Sequence, residues 1–351
     1  MSLAQLQLYN LRNIQSARLD LHSRINFFTG ENGSGKTSVL EAIYLLGSGH
    51  SFRTREILPL ISHGEESLTV FARTFDEQSI SIQKSVHSPT QVRINKHVCQ
   101  SSSELAHFLP CQVFYQDIFQ IIDAGPSVRR SVMDWGLFHV KQNYHSLWKD
   151  YKRALKQRNV LLKQRAHPRM LTPWNLIISD LATKLDEARG EYFLLLCPEF
   201  EKTLRQLTTL DFSLQYYKGW DKREAGKSLV TILEENYEKD IARQFTQYGA
   251  HKADLFLTSD EFSAKQYLSR GQQKILLFAL KLSQAKLMSK PCLYLCDDLT
   301  SEFDKYHIER LLNLFMEIEG QFFITSTSSL SEFFVNDSEQ NFFSLRQGKI
   351  C

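Results

Sequence analysis

Residues Gly30-Glu31-Asn32-Gly33-Ser34-Gly35-Lys36-Thr37 form the most informative motif of this chain. It fits the pattern G-x-x-x-x-G-K-[ST] of a phosphate-binding loop. The glycines let the backbone turn tightly, so that its N–H groups converge on phosphate oxygens. In such loops the Lys36 ammonium reaches the β- and γ-phosphates, and the Thr37 hydroxyl ligates Mg²⁺. The motif therefore predicts a site for ATP, or another nucleoside triphosphate, together with Mg²⁺.

The residues on either side of the loop favour a strand before it and a helix after it. Arg24-Ile25-Asn26-Phe27-Phe28 is typical of a buried strand. Apolar residues then recur at helical spacing at Val39, Leu40, Ile43 and Leu46. Gly47 is a candidate for the C-cap of this helix. A helix that begins at the loop adds its partial positive charge beneath the phosphates.

Two further motifs lie near the other end of the chain. Leu268-Ser269-Arg270-Gly271-Gln272-Gln273 contains a Ser-x-Gly-Gln signature, and the apolar run Leu293-Tyr294-Leu295-Cys296 ends in Asp297-Asp298. A carboxylate at the end of a buried strand can hold Mg²⁺ or its water. We therefore expect Asp297 to ligate the metal and Asp298 to polarise the attacking water. Alone, the pair could equally be a strand that ends in two solvated carboxylates.

Loop, signature and paired carboxylate in this order are typical of a composite ATPase site of the ABC type. Such a site closes only when two subunits meet across ATP, so the order predicts an ATP-dependent homodimer. Many ABC enzymes carry Glu at the second acidic position. Asp298 is one methylene shorter, and we expect slow hydrolysis.

Composition fits a globular protein with two lobes. The chain has 351 residues, of which 42% are hydrophobic and 23% charged, which is ordinary for a soluble protein. The net charge of +3 requires any nucleic-acid site to be a local patch. The six cysteines form no C-x-x-C pair, and no long apolar run appears. These features predict reduced thiols, a cytoplasmic location and no membrane span.

The ATPase parts fall into two blocks, residues 1–118 and 246–351, separated by a largely helical segment at 119–245. In the first block, residues alternate in polarity as in half-buried strands at 6–9, 17–21, 68–75, 79–86 and 91–98. Short polar connections between the last three predict an antiparallel meander. The expected fold is α/β: an ABC-type ATPase head, with a mixed sheet plus this meander, interrupted by an inserted helical domain.

The best basic stretch lies in the helical segment. Between Lys149 and Arg165 the positive residues are Lys149, Lys152, Arg153, Lys156, Arg158, Lys163 and Arg165, against a lone Asp150. This stretch is a candidate for contact with DNA phosphates, and a solvated helix face is the alternative. Arg53 and Arg55 form a second candidate pair, for nucleotide or DNA phosphate, with ordinary salt bridges as the alternative.

Taken together, the motifs and several local strings resemble the RecF family of bacterial recombination-mediator ATPases, which are related to SMC-type heads. Besides the loop and the signature, the strings that carry this resemblance are Leu11-Arg12-Asn13, Ser51-Phe52-Arg53-Thr54, Gly125-Pro126, Arg129-Arg130, Asp134-Trp135-Gly136, Leu155-Lys156-Gln157-Arg158-Asn159, His251-Lys252-Ala253-Asp254-Leu255 and Ser301-Glu302-Phe303-Asp304. The phosphate loop is widespread among proteins, whereas the strings in the middle of the chain are much more specific.

The resemblance implies a head with a short helical arm in place of long coiled coils. It implies ATP-dependent dimerisation, ATP-dependent binding of single-stranded, gapped or junction DNA, and weak DNA-stimulated ATP hydrolysis. By the same likeness the protein would act with RecO and RecR to place RecA at single-stranded gaps. Those events serve DNA repair, replication restart and the SOS response.

The resemblance also implies roles for particular residues beyond Lys36 and Thr37. Residues implied to contact nucleotide, the metal or the dimer seam are Arg12, Asn13, Gln112, Ser269, Gly271, Gln272 and Asp304. Ser269 and Gly271 would reach the γ-phosphate bound to the partner, and Gln112 would sense Mg²⁺ and water. Thr325-Ser326-Thr327 stands where many ABC ATPases carry a histidine, which fits slow turnover.

Two other protein classes are alternatives to the RecF family, and the role of His251 has two possible interpretations. An ABC transporter-like ATPase subunit would share the nucleotide motifs, but it normally carries that histidine and lacks an arm of this length. Another SMC-like assembly would need hundreds of residues of heptads, for which this chain has no room. His251 could be a catalytic residue or a structural one.

Overall fold

A computed structural model describes residues 2–222, 225–259, 262–301, 303–327 and 340–350. The chain forms two compact units, the first from Met1–Ile118 with Met288–Cys351 and the second from Phe119–Leu287. The first junction coincides with the predicted one at residue 118. The second lies beyond the predicted junction at residue 245, because the helix that follows the signature packs within the second unit. In that helix the Ser283 hydroxyl donates to the carbonyl of Glu199 at 3.2 Å.

The strands are Leu3–Leu11 (β1), Ile14–Asp20 (β2), Ile25–Thr29 (β3), Ser67–Thr74 (β4), Ser79–Ser85 (β5), Gln91–Ile94 (β6), His97–Val98 (β7), Cys111–Phe114 (β8), Ser213–Tyr217 (β9), Asp254–Ser259 (β10), Phe262–Ser263 (β11), Cys292–Cys296 (β12), Gly320–Ser326 (β13), Gln340–Arg346 (β14) and Lys349–Ile350 (β15). The α-helices are Lys36–Ser48 (α1), Ser102–Phe108 (α2), Gln120–Asp123 (α3), Pro126–Val140 (α4), Tyr144–Lys163 (α5), Pro168–Leu207 (α6), Leu229–Glu235 (α7), Tyr237–Arg243 (α8), Ala264–Tyr267 (α9), Arg270–Lys286 (α10) and Lys305–Glu317 (α11). None of the described helices has both the length and the apolar character needed to cross a membrane.

Two six-stranded sheets build the first unit. One is antiparallel, in the order β2-β1-β4-β5-β6-β7, and contains the predicted meander. The other, in the order β15-β14-β3-β13-β12-β8, has parallel β14, β3, β13, β12 and β8, with β15 antiparallel at its edge. The predicted α/β fold, with a mixed sheet and a meander, is confirmed. The parallel arrangement brings the carboxyl ends of β3, β12 and β13 to one edge, where a ligand site is expected.

Helix α1 lies in the core of the first unit. Ten of its thirteen residues are buried, and its apolar side chains belong to the same cluster as those of β1, β4, β5 and β13. The predicted C-cap at Gly47 is wrong. Gly47 lies inside the helix, where a Cβ would come within 2.8 Å of the Leu109 carbonyl oxygen, and the helix is capped by Gly49 at φ 78°.

One predicted strand is divided in the structure. Residues 91–98 form β6 and β7, joined by Asn95 and Lys96, which have φ values of 48° and 71°. Two consecutive residues in the left-handed region make the two-residue hairpin turn that matches the twist of the flanking strands. Alternating polarity continues through such a turn, so the pattern could not reveal it.

Helices make up most of the second unit, with the small sheet β11-β10-β9 beside them. Its interior contains two arginines with no exposed surface, Arg158 and Arg189. The Arg158 guanidinium donates to Asn175 Oδ1, Asp240 Oδ2 and Thr246 Oγ1, each at 2.7 Å. Burial of a charge is tolerated only with such partners. Arg158, predicted as part of the basic stretch, is therefore a core residue.

Asp240→Ala is expected to destabilise the second unit by about 3–5 kcal/mol, because it leaves the Arg158 charge buried without its counter-ion. The free energy of unfolding in urea measures this loss. Asp150→Ala is the matched control. Its carboxylate lies 3.4 Å from Arg153, but both side chains are more than half exposed, and such pairs contribute at most about 1 kcal/mol. Equal effects of the two substitutions would contradict the structural role of Arg158.

Candidate nucleotide-binding site

Strand β3 and helix α1 hold the phosphate loop between them. Gly30, Gly33 and Gly35 have φ values of 155°, 79° and 110°, which side-chain-bearing residues rarely adopt. At Gly30 a Cβ would also collide with the carbonyl oxygen of Leu345 on β14. Glycine is thus required there by backbone conformation and by space. Helix α1 begins directly after Gly35, with its N-terminus at the loop.

Lys36 is folded against the loop that it follows. Its Nζ donates to the carbonyl oxygens of Gly30 at 2.7 Å and Glu31 at 2.9 Å, and the residue is only 7% exposed. Burial lowers the pKa of Lys36, and the charges of Asp298 and Asp297 partly offset that effect. The ammonium is therefore held inside the loop and beside both carboxylates.

Thr37 and Asp297 meet across the carboxyl edge of the parallel sheet. The Thr37 hydroxyl lies 3.0 Å and 3.2 Å from the two carboxylate oxygens of Asp297. The Asp297 backbone N–H donates to the Phe114 carbonyl of β8 at 2.8 Å, which fixes the position of the residue beyond the end of β12. Two of the residues predicted to bind Mg²⁺, Thr37 and Asp297, are thus in direct contact.

Thr325 joins the two predicted acidic residues, a role that no sequence pattern indicated. Its hydroxyl donates to Asp297 Oδ1 at 2.7 Å and accepts the Asp298 backbone N–H at 2.7 Å. The residue is fully buried near the end of β13. Asp298 has a φ of 49°, so the chain turns sharply at this point. A single side chain therefore positions both carboxylate-bearing residues.

The surroundings of Asp297 oppose its ionisation. Burial raises the pKa of Asp297, whereas hydrogen bonds from Thr325 and Thr37 lower it. The neighbouring Asp298 charge raises the pKa further, and the Arg53 charge lowers it. A cation bound here would favour the charged carboxylate. Arg53 therefore acts electrostatically on Asp297, and its contact with nucleotide or DNA phosphate stays a prediction.

Residues outside β3 and α1 also donate hydrogen bonds to the phosphate loop. Asn13 Nδ2 donates to the Gly33 carbonyl at 3.0 Å, and the Gly348 N–H donates to the Ser34 carbonyl at 2.9 Å. Gly348 has a φ of 78°, and a Cβ there would collide with the carbonyl oxygen of Asn13. Asn13 thus lies at the predicted site. The hairpin between β14 and β15 is a second support that sequence patterns did not reveal.

Arg12 is engaged by the protein itself. Its guanidinium makes a bidentate pair with the buried Glu41 of α1, at 2.8 Å for each contact, and donates to the Pro59 carbonyl at 2.6 Å. Glu41 also accepts a hydrogen bond from Ser51. These contacts fix the segments around α1. A direct role of Arg12 in nucleotide binding remains a prediction.

Gln112 does not lie beside Thr37 and Asp297 in the structure. Gln112 lies within β8 and pairs with Tyr294, three positions before Asp297, which is about 10 Å along a strand. The backbone of Gln116 follows the end of β8, at the edge where Asp297 lies. The role of Gln112 in metal binding therefore has no geometric support here.

The signature residues cap helix α10 in the second unit. Ser269 and Gln272 form a reciprocal capping box, in which Gln272 Oε1 accepts the Ser269 N–H at 3.0 Å. Both are exposed, and Gly271 lies between them in the first turn. Arg270 pairs with Asp123 at 2.6 Å and lies over the Phe119 ring. The predicted signature thus forms an accessible helix N-terminus, of the kind that binds anions.

Six of the seven cations in the predicted basic stretch are exposed on or beyond α5: Lys149, Lys152, Arg153, Lys156, Lys163 and Arg165. Lys152 lies over the Trp148 ring, and Arg153 lies near Asp150. Asp304 caps α11 and pairs with His307 at 2.7 Å. Glu302, which belongs to one of the resembling strings, lies outside the described residues.

The residues of the first unit fit a triphosphate and Mg²⁺. Ser34 Oγ and Asp298 Oδ1 are buried atoms without a hydrogen-bond partner in the described structure. Hydroxyl and carboxylate oxygens, as on Thr37 and Asp297, are the ligand types that Mg²⁺ prefers. The glycines keep the loop open to phosphate oxygens, and the Lys36 ammonium supplies a positive charge. The donor set therefore matches the predicted cofactors.

Thr325→Val is expected to weaken Mg²⁺-dependent ATP binding by about ten- to hundredfold, as removal of groups that orient a metal ligand does. The loss follows because Asp297 loses a donor and the Asp298 N–H loses its acceptor. Titration of Mg²⁺ at fixed ATP, followed by calorimetry, measures the effect. Thr69→Val, on the antiparallel sheet, is the control. An unchanged Mg²⁺ dependence for Thr325→Val would contradict the positioning role.

His251 has the contacts of a structural residue. Its Nδ1 lies 2.7 Å from the Tyr151 hydroxyl and its Nε2 lies 3.0 Å from the Thr246 carbonyl. Burial lowers the pKa of His251 to about 4. Of the two alternatives for this residue, the contacts favour the structural one.

The depressed pKa of His251 predicts a loss of stability in acid. Below pH 6.5, the ordinary pKa of histidine, His251 is protonated in the unfolded chain. In the folded chain its pKa of about 4 keeps it neutral to lower pH. The contribution is present above pH 6.5 and is lost between pH 6.5 and about 4, by roughly 3 kcal/mol. Urea unfolding of wild type and His251→Gln across this range measures it. Identical pH profiles for the two proteins would contradict this account.

Comparison with known proteins places the chain in a family. Residues 2–343 match the model of the RecF/RecN/SMC N terminal domain. The DNA replication and repair protein RecF of Cellvibrio japonicus is 38% identical, over 93% of this chain and 91% of the relative. The RecF proteins of Pseudomonas syringae pv. tomato and Escherichia coli O7:K1 are 37% and 36% identical, and each alignment covers the whole of this chain.

Solved structures agree in fold. The recombination mediator protein RecF of the RecFOR pathway, solved with ATP, superposes with a TM-score of 0.83 at 24% identity, covering 100% of this chain and 97% of that one. An Smc head bound to the C-winged helix domain of ScpA gives a TM-score of 0.64 at 16% identity, covering 100% and 97%. The long alignments with RecF proteins and the ABC-type head identify this chain as a member of the RecF family of DNA replication and repair proteins.

Proposed function

We propose that this chain is an ATP-gated DNA-binding dimer that works as a recombination mediator in the RecFOR pathway. The observation that carries the proposal is the convergence of Lys36, Thr37 and Asp297 at the carboxyl edge of the parallel sheet. That convergence is supported by the pair at 3.0 Å between Thr37 and Asp297. Relatives named RecF over the full length of the chain support the pathway.

In the proposed site, the first unit supplies the groups that bind and orient ATP. The loop N–H groups and the Lys36 ammonium bind the phosphates, which requires Lys36 Nζ to leave the carbonyls of Gly30 and Glu31. Thr37 and Asp297 hold the Mg²⁺, which neutralises charge on the phosphate oxygens when bound. Asp298 orients the attacking water through its carboxylate. Because the Asp298 side chain is short and Thr325-Ser326-Thr327 contains no histidine, turnover is slow.

The second nucleotide contact comes from another copy of the chain. The α10 N-terminus, with Ser269, Gly271 and Gln272, is exposed and suited to a γ-phosphate. In the dimer each ATP lies between the loop of one subunit and the signature of the other. ATP then gates assembly, because the triphosphate completes contacts that ADP cannot make.

DNA is the proposed partner of the closed dimer. Exposed cations of α5, such as Lys152 and Lys156, are available for phosphate contacts. With RecO and RecR, the dimer helps RecA load at single-stranded gaps during repair, replication restart and the SOS response. An ATPase subunit of a transporter-like or other SMC-like assembly is the alternative function, and ATP-independent association with membranes or filaments would favour it.

Complementation between two defective variants tests the composite site. Lys36→Met removes the phosphate-binding ammonium, and Ser269→Arg removes the signature contact. Neither variant alone should dimerise with ATP. Their mixture should form heterodimers, because the loop of the Ser269→Arg chain and the signature of the Lys36→Met chain make one intact site. Differently tagged chains and light scattering measure the assembly.

Ser269→Arg should retain ATP binding near the wild-type affinity, which serves as the control for folding. Lys36→Met should lose ATP binding by at least about a hundredfold, since it removes a charge-assisted contact. Dimerisation of Ser269→Arg by itself with ATP would refute the composite site. Failure of the mixture to form heterodimers would refute it as well.

A further inference from the structure

A cavity of about 420 Å³ in the first unit contains none of the phosphate-loop residues among the described residues that line it. The residues that line it are Tyr9, Ser16, Ala17, Arg18, Lys349 and Ile350. They come from β2 and β15, the edge strands of the two large sheets, and from the neighbouring β1. None of the described residues that line it is acidic. Its volume falls in the range of small-molecule sites, of about 300–1,000 Å³.

Strand register places the chemically active groups on one face. Gln7 pairs with Arg18 and Tyr9 pairs with Ser16, so Tyr9 and Arg18 share the outer face of the antiparallel sheet. Tyr9 is 46% exposed, and Arg18 and Lys349 are both exposed. Within the described part of the chain, neither cation forms an ion pair. An aromatic ring and two positive charges are therefore accessible around one cavity.

This combination matches one nucleotide of an unpaired strand. Proteins that bind single strands pair cations, which contact the phosphates, with aromatic rings on which bases stack. A duplex keeps its base faces stacked inside, so it offers phosphates to the two cations but nothing to the Tyr9 ring. The cavity thus offers cations for the phosphates and an aromatic ring for the base of an unpaired nucleotide.

We propose that the cavity lined by Tyr9, Arg18 and Lys349 is a binding site for single-stranded DNA, with a base on Tyr9 and phosphates at Arg18 and Lys349. The proposal rests on the proposed function, since that function makes DNA the ligand. It adds a location on the first unit and a preference for unpaired strands.

The hairpin that carries Lys349 also contacts the phosphate loop. Arg346 pairs with Lys349 across the turn at Gln347 and Gly348, whose φ values of 47° and 78° fit a tight hairpin. The Gly348 N–H bonds the Ser34 carbonyl of the loop at 2.9 Å. Lys349 is therefore one residue from a direct contact with the phosphate loop. The proposed strand site and the phosphate loop therefore both involve this hairpin.

Fluorescence anisotropy of a labelled oligothymidylate, with the full chain and ATP, tests the site. Replacement of both cations, Arg18→Ala with Lys349→Ala, should lower affinity about tenfold and reduce the salt slope by about 1.4, since two phosphate contacts are lost. Tyr9→Ala should lower affinity about tenfold through lost stacking, and Tyr9→Phe should restore it. Lys290→Ala, which removes an exposed lysine of the same unit, is the matched control.

The outcomes separate this site from the proposed function. Wild-type affinity and salt slope in the double variant, with ATP-dependent DNA binding retained, would overturn the site and leave the proposed function standing. An equal loss for duplex and single strand, with no effect of Tyr9→Ala, would overturn the assignment to unpaired DNA. No DNA binding by the wild-type chain in any nucleotide state would overturn both. Loss confined to the single strand, with ATP-dependent dimerisation intact, supports the site.

Discussion

The nucleotide site depends on one half-buried carboxylate. Asp297 lies just after the end of β12 and is partly removed from water, and desolvation of such a group is costly unless hydrogen bonds compensate. Thr37, from the loop after β3, and Thr325, from β13, supply those hydrogen bonds. The carboxylate therefore fixes three neighbouring strand ends relative to one another. The Asp297 carboxylate also provides the oxygen ligands that a bound cation needs. The same side chain therefore contributes to the fold and to binding.

The sequence predicted the parts of this arrangement that lie close together along the chain. The phosphate loop, the strand before it and the helix after it are local, and so is the pair Asp297-Asp298. Thr325 and Gly348 could not be found in this way. Each acts on a residue far away in sequence, and a threonine in an apolar strand or a glycine in a turn carries no distinctive pattern. The boundary of the second unit was missed for the same reason, because α10 packs on α6 only in three dimensions.

The charge pattern of the helical segment did not distinguish exposed cations from a buried one. A run of cations predicts a solvated or phosphate-binding face, yet Arg158 is buried beside Asp240. Arg189 is likewise buried, where it donates to Asp134 and to the Ala250 carbonyl. Several strings that carried the family resemblance, including those around Asp134, Arg158 and His251, therefore build the interior of the second unit. These strings therefore supply polar contacts within the second unit.

Sedimentation velocity of the purified chain would show whether ATP gates a dimer that holds DNA. The chain would be measured without nucleotide and with ADP, ATP or a slowly hydrolysed ATP analogue, each in the presence and absence of gapped DNA. We expect a dimer only with the triphosphates, and tight DNA binding only in those states. A monomer under every condition, or DNA binding that is indifferent to ATP, would contradict it.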